Sequence, residues 1–338
     1  MVMKRSRSTF LRLSLLAGMV AAGRAVSPAW GDSSGDPLPS WNPGLAKDSI
    51  LAFVKRVTRA DSPDFVLPAD RVAVTDLDGT LWPEQPMPVE LFYAIDRVRA
   101  LAPQHPEWQT QQPFQAVLEN DREALLASGK AGLVEIVAAT HAGMTTDAFT
   151  HQVQNWIATA RHPRTGMRFT EMVYQPMREL LDYLRTHRFK VHIVSGSEVG
   201  FTRSWSEPVL GIPPEQVIGS VVKTQFELQG ATAVLVRQPE LVFYDDKDGK
   251  PRAIEHFMGR RPIAAFGNSN GDVPMLQWTQ SGEGARHQLL VHHTDGDREW
   301  AYDRQTLSGQ LTTGLDTARA NGWTVVDMQQ DWRVIYAA

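Results

Sequence analysis

The stretch RVAVTDLDGT, residues 71–80, decides the fold prediction. Its first half is an apolar, β-type run, which predicts a short buried strand. The run ends in two carboxylates, Asp76 and Asp78, followed by Gly79, which permits a tight turn, and by Thr80, whose hydroxyl can bind an oxyanion. In such a pair one carboxylate can attack or bind a metal while the other transfers protons. The same pattern also occurs in turns and calcium loops, so alone it leaves structure and function both open.

Two further stretches carry polar groups where a strand ends or a helix begins. The run KVHIVS, residues 190–195, is followed by Gly-Ser, and both the Ser195 hydroxyl and the Gly196 amide suit a phosphate oxygen. Lys250 lies at a predicted helix start, where a cation could stabilise a phosphoryl group, and Lys247 is the alternative. Ser-Gly ends many strands and lysines are usually solvated, so neither stretch specifies a site by itself.

The stretch AAFGNSNGDVPML, residues 264–276, follows the same plan. Its apolar start predicts a buried strand, and α/β enzymes place their chemistry at the carboxyl ends of such strands. The loop contains one carboxylate, Asp272, and an amide, Asn268, where a metal site could use an acid. The stretch is therefore either an active-site loop or only a turn.

Taken together and in this order, the four stretches resemble the motifs of the haloacid dehalogenase superfamily, specifically its phosphoserine-phosphatase-like branch. Asp-x-Asp-x-Thr corresponds to residues 76–80, the strand ending in serine to Ser195, the lysine to Lys250, and Gly-Asp-x-x-x-Asp to residues 267–272. The resemblance covers about residues 70–295. It implies an α/β fold, with a Rossmann-like parallel-sheet core and an all-α cap inserted after the first strand.

The resemblance also implies a mechanism. Asp76 would attack the phosphorus of a phosphomonoester, and Asp78 would protonate the leaving alkoxide and then deprotonate water. Mg²⁺ would contact the Asp76 carboxylate, the main-chain carbonyl of Asp78 and the fourth loop. The groups implied to hold the phosphoryl oxygens are Gly79, Thr80, Ser195, the Gly196 amide and Lys250. Since the second carboxylate is present, phosphatase activity is expected rather than dehalogenation.

Asn268 departs from the family pattern, which usually has a metal-binding aspartate at this position. An amide oxygen can still bind Mg²⁺, but it brings no negative charge, so a weaker metal site is expected. Asp272 either becomes the direct acidic ligand or holds a metal-bound water.

The cap is expected to select the substrate. In ATARHPRTGMRF, residues 158–169, Arg161 and Arg164 could bind a carboxylate or a second anion on the leaving group. They could equally be solvated residues near a helix end. Glu84 could face the cap and meet an ammonium group, and the pair His292-His293, at the end of a strand, could approach the site.

The hydrophobic pattern predicts alternating strands and helices and four regions. The expected regions are a signal peptide at 1–31, an N-terminal extension with a helix at 32–69, the catalytic core at 70–86 and 188–338, and the helical cap at 87–187. The helices predicted in and beside the cap are 88–102, 113–127, 131–141, 145–160 and 172–187, and a later one is 307–321. A β-hairpin is predicted over 217–237.

The N-terminus and the composition bear on location and partners. Basic residues precede the apolar stretch 10–22, and Ala29-Trp30-Gly31 offers a cleavage site, which predicts export by the Sec or Tat route to the periplasm or medium. Removing residues 1–31 takes five basic and no acidic residues from totals of 34 and 38, leaving a net charge of −9. An acidic chain is a poor nucleic-acid binder, and a chain without cysteine cannot use thiol catalysis.

The sequence therefore predicts an exported, Mg²⁺-dependent phosphomonoester hydrolase acting on a small phosphate ester, with no nucleic-acid partner and no stable membrane insertion after signal removal. Two alternatives are a phosphotransferase using the same aspartyl phosphate and a catalytically silent protein that binds a phosphate ligand.

Overall fold

The computed structural model describes residues 35–306 and 308–337. The predicted signal peptide, residues 1–31, lies outside the described residues. In the part of the chain that is described, no helix combines the length and the apolar character needed to cross a membrane.

A single seven-stranded sheet forms the centre of the molecule. Its strand order is β4-β3-β2-β1-β5-β6-β7, and every neighbouring pair is parallel except the β3/β4 hairpin. The strands are β1 Val72–Thr75, β2 Lys190–Glu198, β3 Val217–Gln229, β4 Thr232–Phe243, β5 Ala264–Gly267, β6 His287–His292 and β7 Thr324–Asp327. The predicted Rossmann-like parallel sheet is thus confirmed. The hairpin predicted over 217–237 extends further, to the end of β4 at Phe243.

Helices cover both faces of the sheet. They are α1 Leu45–Thr58, α2 Val89–Leu101, α3 Phe114–Glu119, α4 Arg122–Ala127, α5 Gly129–Thr140, α6 Thr146–Ile157, α7 Gln175–Thr186, α8 Val199–Arg203, α9 Ser206–Leu210, α10 Gly249–Met258, α11 Val273–Gln280, α12 Gly314–Asn321 and α13 Met328–Asp331. Two predicted helices differ from this list. The one at 113–127 is interrupted at Asn120, which has a left-handed φ of 58°, and the one at 307–321 begins only at Gly314.

The central strands are buried on both faces, because alternate side chains enter two different hydrophobic clusters. Ala73 and Phe266 pack with α1 and α7 on one face. Val74 and Ala265 pack with α10, α11 and α12 on the other. A strand enclosed in this way leaves only its end exposed to a cleft, so the chemistry is concentrated where β1 and β5 finish.

The helical insertion follows β1. Its helices α2 to α5 surround a hydrophobic cluster of their own, with Trp108 and Phe114 stacked at 4.3 Å between ring centroids. Helix α6 instead contributes Phe149 and Val153 to the large cluster of the core. The hairpin joins the insertion at Arg237, whose N–H donates to the Met144 carbonyl at 2.9 Å. The cap boundaries at 87 and 187 stay a prediction.

Candidate active site

Neighbouring strand ends bring the first and fourth sequence motifs together. The N–H of Asp76 donates to the carbonyl of Phe266 at 2.9 Å, which continues the β1/β5 pairing into the loop. The chain then turns at Gly79, whose φ of 79° strains any residue with a side chain. The Gly79 N–H donates to the Trp82 carbonyl at 2.8 Å, closing the turn. The two aspartates are therefore fixed by main-chain hydrogen bonds rather than by a flexible loop.

Lys250 connects the carboxylates of the first and fourth motifs. Its Nζ donates to Asp76 Oδ1 and to Asp272 Oδ1, both at 2.6 Å, and to the Val194 carbonyl at 2.9 Å. Burial alone lowers the pKa of Lys250, but the charges of Asp272 and Asp76 outweigh it and raise that pKa. The ammonium is thus held as a permanent cation. Lys247, the alternative in the sequence, is exposed on the rim of the cleft.

Asp76 retains one free oxygen. Asp76 lines the cleft, and within the described residues no hydrogen bond reaches its Oδ2. Burial and the charge of Asp272 raise the pKa of Asp76, and Lys250 opposes that rise. A carboxylate with one oxygen fixed by a lysine and the other facing a cleft is suited to act as a nucleophile.

Asp78 is held in a different way. Its Oδ1 accepts from Trp82 Nε1 at 2.8 Å and its Oδ2 accepts from the Ser197 hydroxyl at 2.7 Å. Burial raises the pKa of Asp78 to about 6, although these two hydrogen bonds oppose the rise. A carboxyl group with a pKa of this size can both give and take a proton near neutral pH.

The predicted phosphate-binding groups lie at different depths. Gly196 lines the cleft together with Lys250, whereas Ser195 is buried and its Oγ accepts from the Ser197 N–H at 3.2 Å. Thr80 is fully buried and donates to Asn268 Oδ1 at 3.0 Å. In this conformation Ser195 and Thr80 support the loops, while Lys250 and the Gly196 region face the space where a substrate would bind.

The fourth loop is organised by Asp272. Its Oδ2 accepts from the N–H groups of Asn268 and Ser269, both at 3.0 Å, while Oδ1 accepts from Lys250 Nζ. Both carboxylate oxygens are therefore engaged. Asn270 in the same loop accepts from the Gly314 N–H at 2.9 Å, so it provides a side-chain cap at the start of α12.

The cleft between the strand ends and the insertion has a volume of about 420 Å³, within the range of small-molecule sites. Its inner wall is acidic and basic, and its outer wall, from the insertion, is apolar. The apolar lining residues include Met87, Leu91, Leu133, Val134 and Val137. Such a cleft suits a small ligand with one charged end.

A family model described as haloacid dehalogenase-like hydrolase matches residues 73–277. The chain belongs to this family. The match confirms the superfamily and the hydrolase class predicted from the four motifs.

A solved structure shares the fold of this haloacid dehalogenase-like hydrolase. A conserved protein of unknown function from Anaerococcus prevotii DSM 20548 is 13% identical, with a TM-score of 0.52 over 87% of this chain and 94% of its own. A phosphoserine phosphohydrolase-like protein from Francisella tularensis is 14% identical, with a TM-score of 0.39 over 74% of this chain and 98% of its own. The comparison with curated proteins finds no match.

The donor set of the hydrolase suits Mg²⁺ in chemistry, although it is not a preformed cage. Within residues 35–306 and 308–337, no three His, Cys, Asp or Glu side chains are grouped to hold a metal. Mg²⁺ usually takes one or two carboxylates and keeps several waters. The oxygen of Asp76 that Lys250 leaves free would provide such a ligand, and the resemblance to the family implies the main-chain carbonyl of Asp78 as another. Asp272 fits a supporting role better than direct contact, because both its oxygens are engaged.

The structure does not bring Arg161 and Arg164 to the cleft. Arg161 is exposed and donates to the Gly166 carbonyl at 2.7 Å. Arg164 lies over the Trp300 ring, 4.4 Å from its centroid. Neither residue lines the cleft, so the geometry does not support their assignment as substrate-binding residues, which stays a prediction.

Three contacts of the site were not assigned from the sequence. Ser197 binds Asp78, and its only signal was the second serine of the Ser-Gly-Ser loop. His293 shares a 2.7 Å hydrogen bond with the Gly79 carbonyl and so supports the turn, in keeping with the expectation that it approaches the site. Glu84 accepts a hydrogen bond from the Asn268 side chain, and its expected contact with an ammonium group stays a prediction.

Proposed function

We propose that the chain is a phosphomonoester hydrolase that forms an aspartyl phosphate on Asp76 and works with Mg²⁺. The observation that carries the proposal is the arrangement around Asp76, which lines the cleft and has one oxygen fixed by Lys250 at 2.6 Å while no hydrogen bond from the described residues reaches the other. The presence of a second buried carboxyl group, Asp78, two residues further on supports phosphoryl transfer through an enzyme-bound intermediate.

In the first step, Asp76 Oδ2 forms a bond to phosphorus and the bond between phosphorus and the leaving oxygen breaks. Asp78, when protonated, gives its proton to that oxygen, so the leaving group departs as a neutral alcohol. In the second step, Asp78 takes a proton from water as the water oxygen bonds to phosphorus and the aspartyl–phosphorus bond breaks. The products are the alcohol and inorganic phosphate, and both carboxyl groups return to their starting states.

The charges of the site support this sequence. Lys250, which is buried beside the nucleophile, would stabilise the negative charge of the phosphoryl oxygens, and the Gly196 region borders the same space. Mg²⁺ would be held by Asp76 and the Asp78 carbonyl, and when bound it would offset the charge of the phosphoryl group. The apolar outer wall would receive the alcohol part of the ester.

Phosphate release from p-nitrophenyl phosphate, with Mg²⁺ and with EDTA, tests the proposal. Asp76→Asn should abolish phosphate release, and acid-quenched wild type should carry a phosphoryl group that the variant lacks. Asp248→Asn is a matched control, because Asp248 is exposed and makes only a 3.8 Å ion pair. Equal activity in wild type and Asp76→Asn, or none in either across divalent metals, would contradict the proposal and favour the ligand-binding alternative.

Export is part of the proposal, and its support is the N-terminal sequence alone. Basic residues, an apolar stretch at 10–22 and small residues before position 32 form the pattern of a cleaved signal. N-terminal sequencing of the protein recovered from the periplasm or medium would locate the cleavage. A mature chain that begins at Met1 would contradict cleavage.

A further inference from the structure

Helix α5 contributes one apolar face to the cleft. Four of its side chains line the cleft, and their spacing of one and four positions places them on one side of the helix. The four are Leu133, Val134, Val137 and Ala138. Each is only half-buried, whereas Ile136 of the same helix is fully buried in the hydrophobic cluster of the insertion. Half-buried apolar side chains that line a cleft are the usual surface for the apolar part of a small ligand.

Two other elements extend this apolar outer wall. Met87 lies just before α2 and Leu91 lies on α2, and both line the cleft. The β3/β4 hairpin adds Leu241, near the end of β4. Helix α5 packs against both α2 and β4, so side chains from the three elements form one wall. The wall belongs to the same cleft as Asp76, so a ligand bound at the nucleophile can reach it.

Basic side chains are scarce in this cleft. Among the described residues that line it are two lysines, Lys247 and Lys250, and neither arginine nor histidine. Lys250 is engaged, because its Nζ donates to two carboxylates and a main-chain carbonyl. Lys247 is exposed on the rim, where water screens its charge. A negative charge on the leaving group would therefore meet neither a buried nor an unoccupied basic partner among the described residues of the cleft.

Buried acids make a second anion less favourable still. Glu90 and Glu198 line the same cleft as Asp78, and they are 7% and 2% exposed. Arg237 lies 2.9 Å from Glu198 and compensates that charge. Both oxygens of Glu90 accept from the Glu198 N–H, a neutral donor. A carboxylate on the leaving group would lose its water and approach these acids, which costs free energy.

We propose that the substrates are phosphate monoesters of apolar alcohols that carry no second anionic group, and that α5 selects them through Leu133, Val134 and Val137. The proposal rests on the proposed phosphatase function and deepens it, because it assigns the leaving group rather than the reaction. The phosphoryl group lies by Asp76 and Lys250, and the carbon chain lies along the apolar outer wall. Each methylene group that the wall removes from water should raise kcat/KM by up to about fourfold.

A matched pair of esters tests the proposal. Hexyl phosphate and 5-carboxypentyl phosphate have the same number of carbon atoms and differ in a terminal methyl or carboxylate group. We expect wild type to hydrolyse the hexyl ester with a kcat/KM at least about tenfold higher, because the carboxylate would lose water without gaining a partner. Ethyl phosphate, which lacks four of the six carbon atoms, should also be at least about tenfold poorer than the hexyl ester.

A charge placed on α5 tests which residues select. Val137→Lys should change the ratio of kcat/KM between the hexyl and carboxypentyl esters by at least about tenfold in favour of the carboxylate. Glu135→Lys is the matched control, because Glu135 is exposed on the same helix and does not line the cleft, and it should keep the wild-type ratio. Leu133→Ala remains informative if Val137→Lys fails to fold. It should lower kcat/KM about fourfold or more for hexyl phosphate and leave ethyl phosphate unchanged.

The outcomes separate the selectivity from the reaction. Equal or better hydrolysis of the carboxypentyl ester by wild type would overturn the proposal and leave the phosphatase function standing. The same holds for a wild-type ratio in folded Val137→Lys, for an equal change of ratio in Glu135→Lys, and for an unchanged hexyl ester in Leu133→Ala. If wild type releases phosphate from none of the esters, p-nitrophenyl phosphate included, the phosphatase function fails and the substrate assignment fails with it.

Discussion

Replacing Lys250 with Met should destabilise the protein strongly, and more at high pH than at low pH. The lysine is 2% exposed and forms three hydrogen bonds, two of them to buried carboxylates. Methionine fills a similar volume, so little of the effect comes from a cavity. Removing one partner of a buried ion pair costs about 3–5 kcal/mol, because the other partner is left buried without compensation. We expect a loss of that size in the free energy of unfolding near pH 8.

The pH dependence of the loss follows from Asp76. Without the lysine its folded-state pKa rises further above the ordinary value of 3.8, so the folded variant binds a proton that the unfolded chain has released. The loss of unfolding free energy in Lys250→Met, relative to wild type, is therefore largest at high pH and becomes smaller as the pH falls towards about 4. Urea unfolding followed by tryptophan fluorescence at several pH values measures it.

Lys247→Met provides the matched control. Lys247 is an exposed lysine three residues away on the rim of the same cleft, and its loss should change the free energy of unfolding very little. The reasoning is refuted if Lys250→Met costs no more than Lys247→Met, or if its cost is the same at every pH.

Two further predictions concern the backbone turn and a buried histidine. Gly79→Ala should lower the free energy of unfolding by more than the roughly 1–2 kcal/mol of left-handed strain alone, because its Cβ would displace Glu84 and Asn268. Gly259→Ala, with φ 61° and open space around it, should show only the strain in the same urea assay, and equal losses would contradict the clash. Burial lowers the pKa of His192 to about 4, so the unfolded chain binds a proton at a higher pH than the folded protein does. This difference lowers the free energy of unfolding as the pH falls from 6.5 to about 4. His192→Leu should remove up to about 3 kcal/mol of that loss. An unchanged slope of unfolding free energy against pH would rule this out.

The sequence predicts the strand ends well, because a short local pattern of apolar and then polar residues indicates where a buried strand ends. Runs such as Val72–Thr75 and Ala264–Gly267 are short and mostly apolar and are followed by polar residues with a glycine nearby, a pattern typical of the carboxyl end of a buried strand. Parallel pairing then brings those ends together without further information. The resemblance to the haloacid dehalogenase superfamily then places Asp76, Asp78 and Lys250 in one site, although Lys250 lies at a helix start rather than at a strand end.

The rest of the site depends on packing that no local pattern encodes. Glu84 reaches Asn268 only because the segment after the first loop folds back against Tyr302 and Ser308, over 200 positions later in the chain. Arg161 and Arg164 carry the charges expected of a substrate-binding pair, yet surface contacts hold them elsewhere. A charged residue near a helix end can be recognised in the sequence, whereas tertiary contacts decide where its side chain points.

The charge balance of the cleft links metal and substrate. Around Asp76, the proposed nucleophile, the buried cation Lys250 is accompanied by the carboxylates of Asp78, Glu84 and Asp272 and by further acidic residues of the cleft. A phosphate ester adds further negative charge to this excess, which burial makes more costly. Burial raises the pKa of Asp78 to about 6 and that of Glu84 to about 7, so partial protonation relieves the excess when no cation is bound. A divalent cation would replace those protons and allow the phosphoryl group to enter, and by linkage phosphate would strengthen metal binding to the same degree.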